Sequence, residues 1–464
     1  MLNQTNLGHN NNKFFILQLL VDTKNNYYVW TRWGRVGVNG QSSLDKFNQN
    51  FDKALDKFTS KFFAKSGNEW QSLPYSHVTG KYFIMERDYE DDDESDKDAS
   101  GVVKSKNGNL VSKPIAESKL DPRVYSLVKN IFDVKMMNDS MSQFSYDTKK
   151  MPLGKLTKDH IKKSMQVLKD IAEELASSLN RHSKLEELSS LFYTIIPHAY
   201  GMRRPPIIAT KELLKNKLEL VESLAEIQIA NSLIKKVDEI DSNVNPIDSK
   251  YNALNNNIKP LDKKGKEFEL IKDYYGYYDL NVEDAFELVR SGENENFKEF
   301  ESLHNRKLLW HGSRMSNFVG ILSQGLRIAP PEAPASGYAF GKGVYFADIV
   351  SKSAGYCCSF LSNNEALMLL CEVALGDELK LKSPNCNAAE NAKRNNKHCT
   401  KGLGRLHPDP KEDYILENNT IVPKGKPILS NDENLISHNE YIVYNTSQIK
   451  MKYLIKIKFD YNKH

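Results

Sequence analysis

The sequence predicts a multidomain α+β protein, and three observations carry that prediction. Near the N-terminus, β-branched and aromatic runs alternate with turn residues, the pattern of short paired strands. In the middle of the chain apolar residues return at helical spacing, the pattern of a helical bundle. Toward the C-terminus short β-rich segments recur with few long helices between them, which suits antiparallel sheets.

Phe14–Leu20 and Tyr27–Trp33 read as strands, with Asp22–Asn26 as the turn and Gly34-Arg35-Val36-Gly37 as the end of the second strand. A helix follows, carrying Leu55, Phe58, Phe62 and Phe63 at roughly helical spacing. Residues 1–87 thus form a small β-rich domain. Residues 88–118 read as a linker, because an acidic run precedes a lysine-containing stretch without aromatics or periodicity. Residues 119–250 read as helical. Ile161, Met165, Leu168, Ile171 and Leu175 share one face behind Thr157 as the N-cap. Leu213, Leu214, Leu218 and Leu220 mark another helix, followed by Leu224, Ile227, Ala230, Leu233 and Ile234. Residues 251–464 form the last domain, with Ala366–Leu375, Glu440–Val443 and Lys452–Phe459 as strands.

The 464 residues are enough for two or three cores, and 40% hydrophobic with 27% charged residues describe an ordinary water-soluble composition. A net charge of +4 does not by itself demand nucleic acid, but its distribution is uneven. Residues 1–87 hold 11 basic and 6 acidic side chains, and residues 88–98 hold 8 acidic and one basic. Cys357, Cys358, Cys371, Cys386 and Cys399 form no Cys-x-x-Cys pair, so no metal site and a reducing compartment are expected. No signal peptide is evident and no apolar run approaches ~20 residues, so no membrane partner is expected.

The stretch His304–Cys358 carries the chemistry. The apolar run Leu308-Leu309-Trp310 gives way to His311-Gly312-Ser313, which places two hydrogen-bonding side chains and a bare backbone at a strand end. Val344–Ala347 is a second short strand, and Gly337, Gly341 and Gly343 before it let backbone approach something flat closely. Tyr345 and Tyr356 bracket Lys352 and Ser353. Two aromatic faces, a hydroxyl and exposed amides suit a planar, positively charged ring that bears an amide. Oxidised nicotinamide is such a ring. No strand–GxGxxG–helix unit occurs, so the site is not a Rossmann site. The loop at Gly337–Gly343 is one residue short of a phosphate loop and ends in Gly. Glu440 heads the apolar strand of HNEYIVYN; taken alone, it reads as a solvated strand-leading carboxylate.

The block LLWHGSRMSNF…GYAFGKGVYFADIVSKSAGYCC, with NEYIVY, resembles the catalytic signature of the DNA-dependent poly(ADP-ribose) polymerases. The likeness covers nearly the whole chain. Trp33-Gly34-Arg35 in VWTRWGRVG resembles their WGR domain, and MPLGKL with IPHAYGMRRPP is similar to their helical regulatory domain. The resemblance implies a WGR domain, an all-α regulatory domain and an antiparallel-sheet ADP-ribosyltransferase domain. The activity it implies is transfer of ADP-ribose from NAD, used as a substrate, to proteins including the enzyme itself, with elongation into polymer. Broken or nicked DNA would activate it, in DNA damage response and repair, in the nucleus and alongside chromatin and repair proteins.

The residue roles come from the same resemblance. Glu440 would be the catalytic carboxylate, completing with His311 and Tyr345 the set that polymerising members carry. His311, Gly312, Ser313, Gly320, Arg327, Tyr345, Lys352, Ser353 and Tyr356 would bind NAD, and Asn12, Trp33, Arg35 and Tyr82 would meet DNA. The helical domain would block the NAD site until DNA binds. The chain departs from the family pattern at His77 for a lysine, Ala199 for an acid, Ala339 for Met and His438 for Tyr. YYGYYDLNVEDAFELV is shorter than usual, and KFDYNKH lacks the Leu-Trp ending tied to an accessory partner, although His304 in LHNR matches that partner's contact motif. Mono-transfer or NAD hydrolysis, and an idle scaffold on DNA ends, are the competing readings.

Overall fold

A computed structural model describes residues 1–85, 116–146, 148, 153, 156–177, 181–238, 244–276, 280–430, 433 and 436–459. The acidic run after residue 87, most of MPLGKL and the tail 460–464 lie outside the described residues. The chain divides into two units. One holds Met1–Ser95, Met141–Ala225 and Pro331–Pro334, and the other holds Asp96–Ser140, Glu226–Pro330 and Ala335–His464. The division falls inside the helix Lys211–Asp238.

In the first unit the expected strand pair is present as Asn11–Val21 against Tyr27–Arg35, antiparallel, with Phe15 opposite Trp33. Asp22 makes the turn by accepting the amides of Lys24 and Asn26. Leu2–Asn6, Gln41–Lys46 and Phe83–Ile84 widen the sheet. Leu2–Asn6 and Gln41–Lys46 are short and largely polar and Phe83–Ile84 spans only two residues, so all three carry little strand signal. The helix Phe51–Ser66 starts at Asn50, which accepts the Lys53 amide, and stops at Gly67 in the left-handed conformation. Ala54, Phe58 and Phe62 repeat every four residues and face the sheet. Phe63 does not join them: it is turned one residue off that stripe and is 54% exposed.

Thr157 caps Lys158–Ala176 as expected, and Ile161, Met165, Leu168 and Ile171 are buried. The two apolar runs between Leu213 and Ile234 belong to one 28-residue helix, Lys211–Asp238, since no Gly or Pro interrupts them.

In the second unit the strands Arg306–Gly312, Glu365–Ala374, Ile449–Lys458 and Asn281–Arg290 lie side by side and antiparallel in a seven-stranded sheet. Ala366–Ala374 is buried throughout, which explains its unbroken apolar sequence around Glu372. Glu372 itself is met by Arg306 at 2.7 Å and Thr420 at 2.8 Å. Trp310, Met368, Leu370, Tyr453 and Ile455 form the core, covered by Phe268, Ile271 and Tyr274 of the helix Lys266–Tyr275. A four-stranded sheet runs Glu378–Leu381, Cys399–Gly402, Glu440–Val443 and Val344–Phe346, and a smaller one joins Pro427–Leu429, Gly404–Pro408 and Ile436–His438. The expected antiparallel sheets are present, with parallel pairing confined to short contacts such as Glu378–Leu381 on Cys399–Gly402.

Candidate active site

Strand pairing brings the predicted site residues to one place. Tyr345 lies opposite Ile442, so it shares a face with Glu440 two residues earlier. The Trp310–Ala347 bridge ties the His311 strand to the Tyr345 strand through hydrogen bonds of 2.8 and 3.0 Å. His311 then donates from Nδ1 to the Tyr345 carbonyl at 2.9 Å, which makes Nε2 the unprotonated nitrogen of the neutral ring. Burial lowers the His311 pKa and keeps the ring neutral at ordinary pH.

Tyr345 is pinned at its far end. Its hydroxyl donates to the Gly341 carbonyl at 2.7 Å and accepts the Phe340 amide at 2.9 Å, and burial pushes its pKa up. Gly312 has no substitute here, because a Cβ would lie 1.9 Å from the Ser353 carbonyl oxygen. The Ser353 hydroxyl donates to the Trp310 carbonyl at 3.0 Å, and Asn317 donates to the Ser313 hydroxyl at 3.0 Å. Tyr356 is 44% exposed, with the Lys352 ammonium 5.6 Å from its ring centre.

Lys352 meets Glu440 at 2.6 Å. Burial pulls the Lys352 pKa down, but the hydrogen bond and charge of Glu440 outweigh it and the net shift is upward. The Lys352 ammonium therefore stays charged across the physiological range. His438 is half-buried nearby, its pKa lowered by burial and then by Lys352.

Gly320 and Arg327 have a neighbour that sequence reasoning missed. Glu226 forms an ion pair with Arg327, and a Cβ on Gly320 would come within 1.9 Å of Glu226 Oε2. Burial raises the Glu226 pKa despite Arg327. Glu226 is the one acid in LAEIQIA, a string that marks it in no other way, and 101 residues separate it from Arg327.

The predicted DNA residues fall into two groups. Trp33 stacks on Phe15 at 6.4 Å, and Tyr82 packs against the same ring at 6.1 Å with Lys13 over its face. Asn12 is buried and donates to the His198 carbonyl at 2.9 Å. Arg35 donates to the carbonyls of Gly201 at 2.8 Å and Asn10 at 2.6 Å. Ala199, in place of an acid, lies beneath Gly37, where a Cβ would come 3.2 Å from the Ala199 methyl. Beside that turn Lys217 is buried against His198, another residue without a sequence signal.

Residues 265–459 match the poly(ADP-ribose) polymerase catalytic domain, residues 118–251 match the poly(ADP-ribose) polymerase regulatory domain, and residues 1–76 match the WGR domain. The protein is thus an NAD ADP-ribosyltransferase by its catalytic domain. Human poly(ADP-ribose) polymerase 2 is 43% identical over 479 aligned residues, covering 99% of this chain and 79% of the human protein. Poly(ADP-ribose) polymerase 2 of Arabidopsis thaliana is 43% identical over 477, covering 99% and 73%. The Drosophila melanogaster poly(ADP-ribose) polymerase is 41% identical over 478, covering all of this chain and 46% of the fly protein. The chain belongs to the poly(ADP-ribose) polymerase family.

Among the described residues no helix is long and apolar enough to cross a membrane, and no cluster of potential metal ligands occurs.

Proposed function

We propose that the enzyme transfers ADP-ribose from NAD to acceptor proteins, itself included, extends it into polymer, and is switched on by broken DNA in the nucleus during damage repair. The observation that carries the transfer reading is the Lys352–Glu440 pair at 2.6 Å on the same sheet face as Tyr345. In the reaction the bond between nicotinamide and C1′ of the ribose breaks, and positive charge spreads over C1′ and the ring oxygen. The Glu440 carboxylate stabilises that charge and accepts a hydrogen bond from the acceptor hydroxyl. The acceptor oxygen bonds to C1′, its proton leaves through Glu440 to solvent, and nicotinamide departs with the bonding electrons. Tyr345 and Tyr356 would hold the nicotinamide ring, with the Gly312 backbone and Ser353 on its amide. Neutral His311 would hold a ribose hydroxyl through Nε2. Lys352 would hold Glu440 in place through their ion pair.

The switch reading is supported by Glu226, which pairs with Arg327 and crowds Gly320, two residues that the family pattern gives to the dinucleotide. In that reading DNA on Asn12, Trp33, Arg35 and Tyr82 favours the form in which Glu226 has left. The test is incorporation of labelled NAD by the full chain, with and without nicked DNA, for wild type and Glu440→Gln. Long polymers from Glu440→Gln would overturn the transfer reading. Equal wild-type turnover with and without DNA would overturn the switch.

A further inference from the structure

We propose that Asp348 is a positioning residue for the transfer step: from the face opposite Glu440 its carboxylate grips the residues on either side of Glu440 and sets where that side chain points. The proposal rests on the reading of Glu440 as the catalytic carboxylate.

Asp348 Oδ2 accepts the Asn439 side-chain amide at 2.7 Å and the Tyr441 hydroxyl at 3.0 Å. Residues 439 and 441 therefore project to one side of the strand, and Glu440 projects to the other, toward Lys352. Asn439 is held a second time, since its Oδ1 accepts the Gly404 amide at 2.8 Å. Nothing here is loose: Asp348 is 3% exposed, Asn439 5% and Tyr441 1%.

The main chain next to Asp348 links this grip to the rest of the site. Ala347 is the residue bridged to Trp310, directly before His311, and Phe346 pairs with Tyr441. One short segment thus ties together the strands of His311, Tyr345 and Glu440. A carboxylate so enclosed is costly unless its environment compensates it. The compensation is local: two hydrogen bonds at Oδ2, and the ammonium groups of Lys401 and Lys307 over the Tyr441 ring at 5.0 and 5.9 Å. The other carboxylate oxygen, Oδ1, is buried without a hydrogen-bond partner. That is an expensive arrangement for simple core filling. It is what is needed if one acceptor oxygen must hold two donors that flank a third residue.

The test uses the full-length enzyme on nicked DNA and compares kcat and KM for NAD among Asp348→Ala, Tyr441→Phe, Glu440→Gln and the double variant Asp348→Ala/Glu440→Gln. Asp348→Ala removes the acceptor of both hydrogen bonds and is expected to lower kcat by roughly 10- to 100-fold, the cost of a displaced catalytic group, with KM for NAD within about twofold. Tyr441→Phe removes one of the two donors and should lower kcat less, in the same direction. The double variant should be no slower than Glu440→Gln alone, because Asp348 acts through Glu440. Should Asp348→Ala fail to fold, Tyr441→Phe with its own Glu440→Gln partner answers the same question. Losses that multiply with an impaired Glu440→Gln, or a rise in KM at unchanged kcat, would overturn the proposal alone. A Glu440→Gln enzyme as active as wild type would overturn the reading beneath it, and the proposal with it.

Discussion

Two lysines, one half-buried and one buried, meet opposite fates in this protein. Lys352 faces a carboxylate, and Glu440 raises its pKa against the pull of burial. Lys217 faces the neutral ring of His198 at 3.0 Å and the rings of Tyr193 and Tyr200, and burial lowers its pKa to about 8. The His198 Nδ1–H is committed to the Ile196 carbonyl at 2.6 Å, so Nε2 can accept from Lys217 only while the imidazole is uncharged. Burial, with Lys217 second, holds His198 well below its ordinary range. Burial is common to both lysines; the partner decides the outcome. A charge matched by a charge is stable across pH and suited to chemistry. A charge matched by neutral groups is held at a cost and is easily released. Arg35, held by carbonyl oxygens, belongs to the second kind, and Glu226 with Arg327 lies between them, a matched pair whose carboxyl pKa burial still raises.

The largest test removes the charge from the matched pair. Glu440→Gln keeps the shape of the side chain, so NAD binding should persist while elongation falls by about 10²–10³. Gel analysis of labelled polymer measures it. If length and yield are unchanged, the pair is structural and the contrast between the two lysines has no chemical meaning.

Glu226→Gln breaks the second matched pair in the same way. A hydrogen bond to a charged group is worth about 1.5–3 kcal/mol, so turnover without DNA should rise roughly 10-fold or more, with turnover on nicked DNA little changed. Unaltered DNA-free turnover in a folded variant would mean that the Glu226–Arg327 contact is not part of the switch.

These two carboxylates also mark the limits of what the sequence discloses. His311, Gly312, Tyr345, Lys352 and Ser353 are legible because they sit within one contiguous block whose residue types suit a flat cationic ring. Glu440 lies 88 residues beyond Lys352 and is legible only through the NEYIVY string. Glu226 carries no such string; its partner is set by packing, and on a helix it looks like any solvated glutamate. Asp348 lies inside the legible block and still escapes notice, because its role depends on which face of a neighbouring strand Asn439 and Tyr441 present. Helix faces are legible only in outline: of Leu55, Phe58, Phe62 and Phe63, Phe58 and Phe62 are buried and Phe63 is not, because spacing does not resolve one residue at a stripe's edge.

Lys217 offers a smaller but sharper test. Its folded-state pKa is about 8 against an ordinary 10.5, so between those values the unfolded chain binds more protons and stability rises with pH. From pH 7 to pH 9 this contributes about 1 kcal/mol. Lys217→Met should flatten the stability curve in that window. Lys352 does not contribute there, since its raised pKa places its own loss of stability above 10.5. The measurement is denaturant unfolding at pH 7, 8 and 9. An unchanged slope in the variant would show that Lys217 is matched after all.

The smallest effect concerns Arg35. Its guanidinium donates to the carbonyls of Asn10, Gly201 and Arg203 and to the Asn10 side-chain oxygen, all of them neutral groups. These bonds orient the side chain but leave its charge uncompensated by any of them, and a phosphate oxygen accepts a stronger hydrogen bond than a carbonyl does. In the proposed reading, Arg35 would exchange carbonyl partners for a phosphate when DNA is present. Losing one phosphate contact lowers the slope of log affinity against log salt by about 0.9. Between 50 and 200 mM salt the affinity of Arg35→Ala should then fall about threefold less than that of wild type. DNA-independent turnover should not change, because the contact exists only with DNA. Titration of a labelled nicked duplex at three salt concentrations measures the slope. A variant that folds, binds DNA with the wild-type slope and is stimulated equally would place the Arg35 charge away from phosphate and reduce its role to bracing the Gly201 turn.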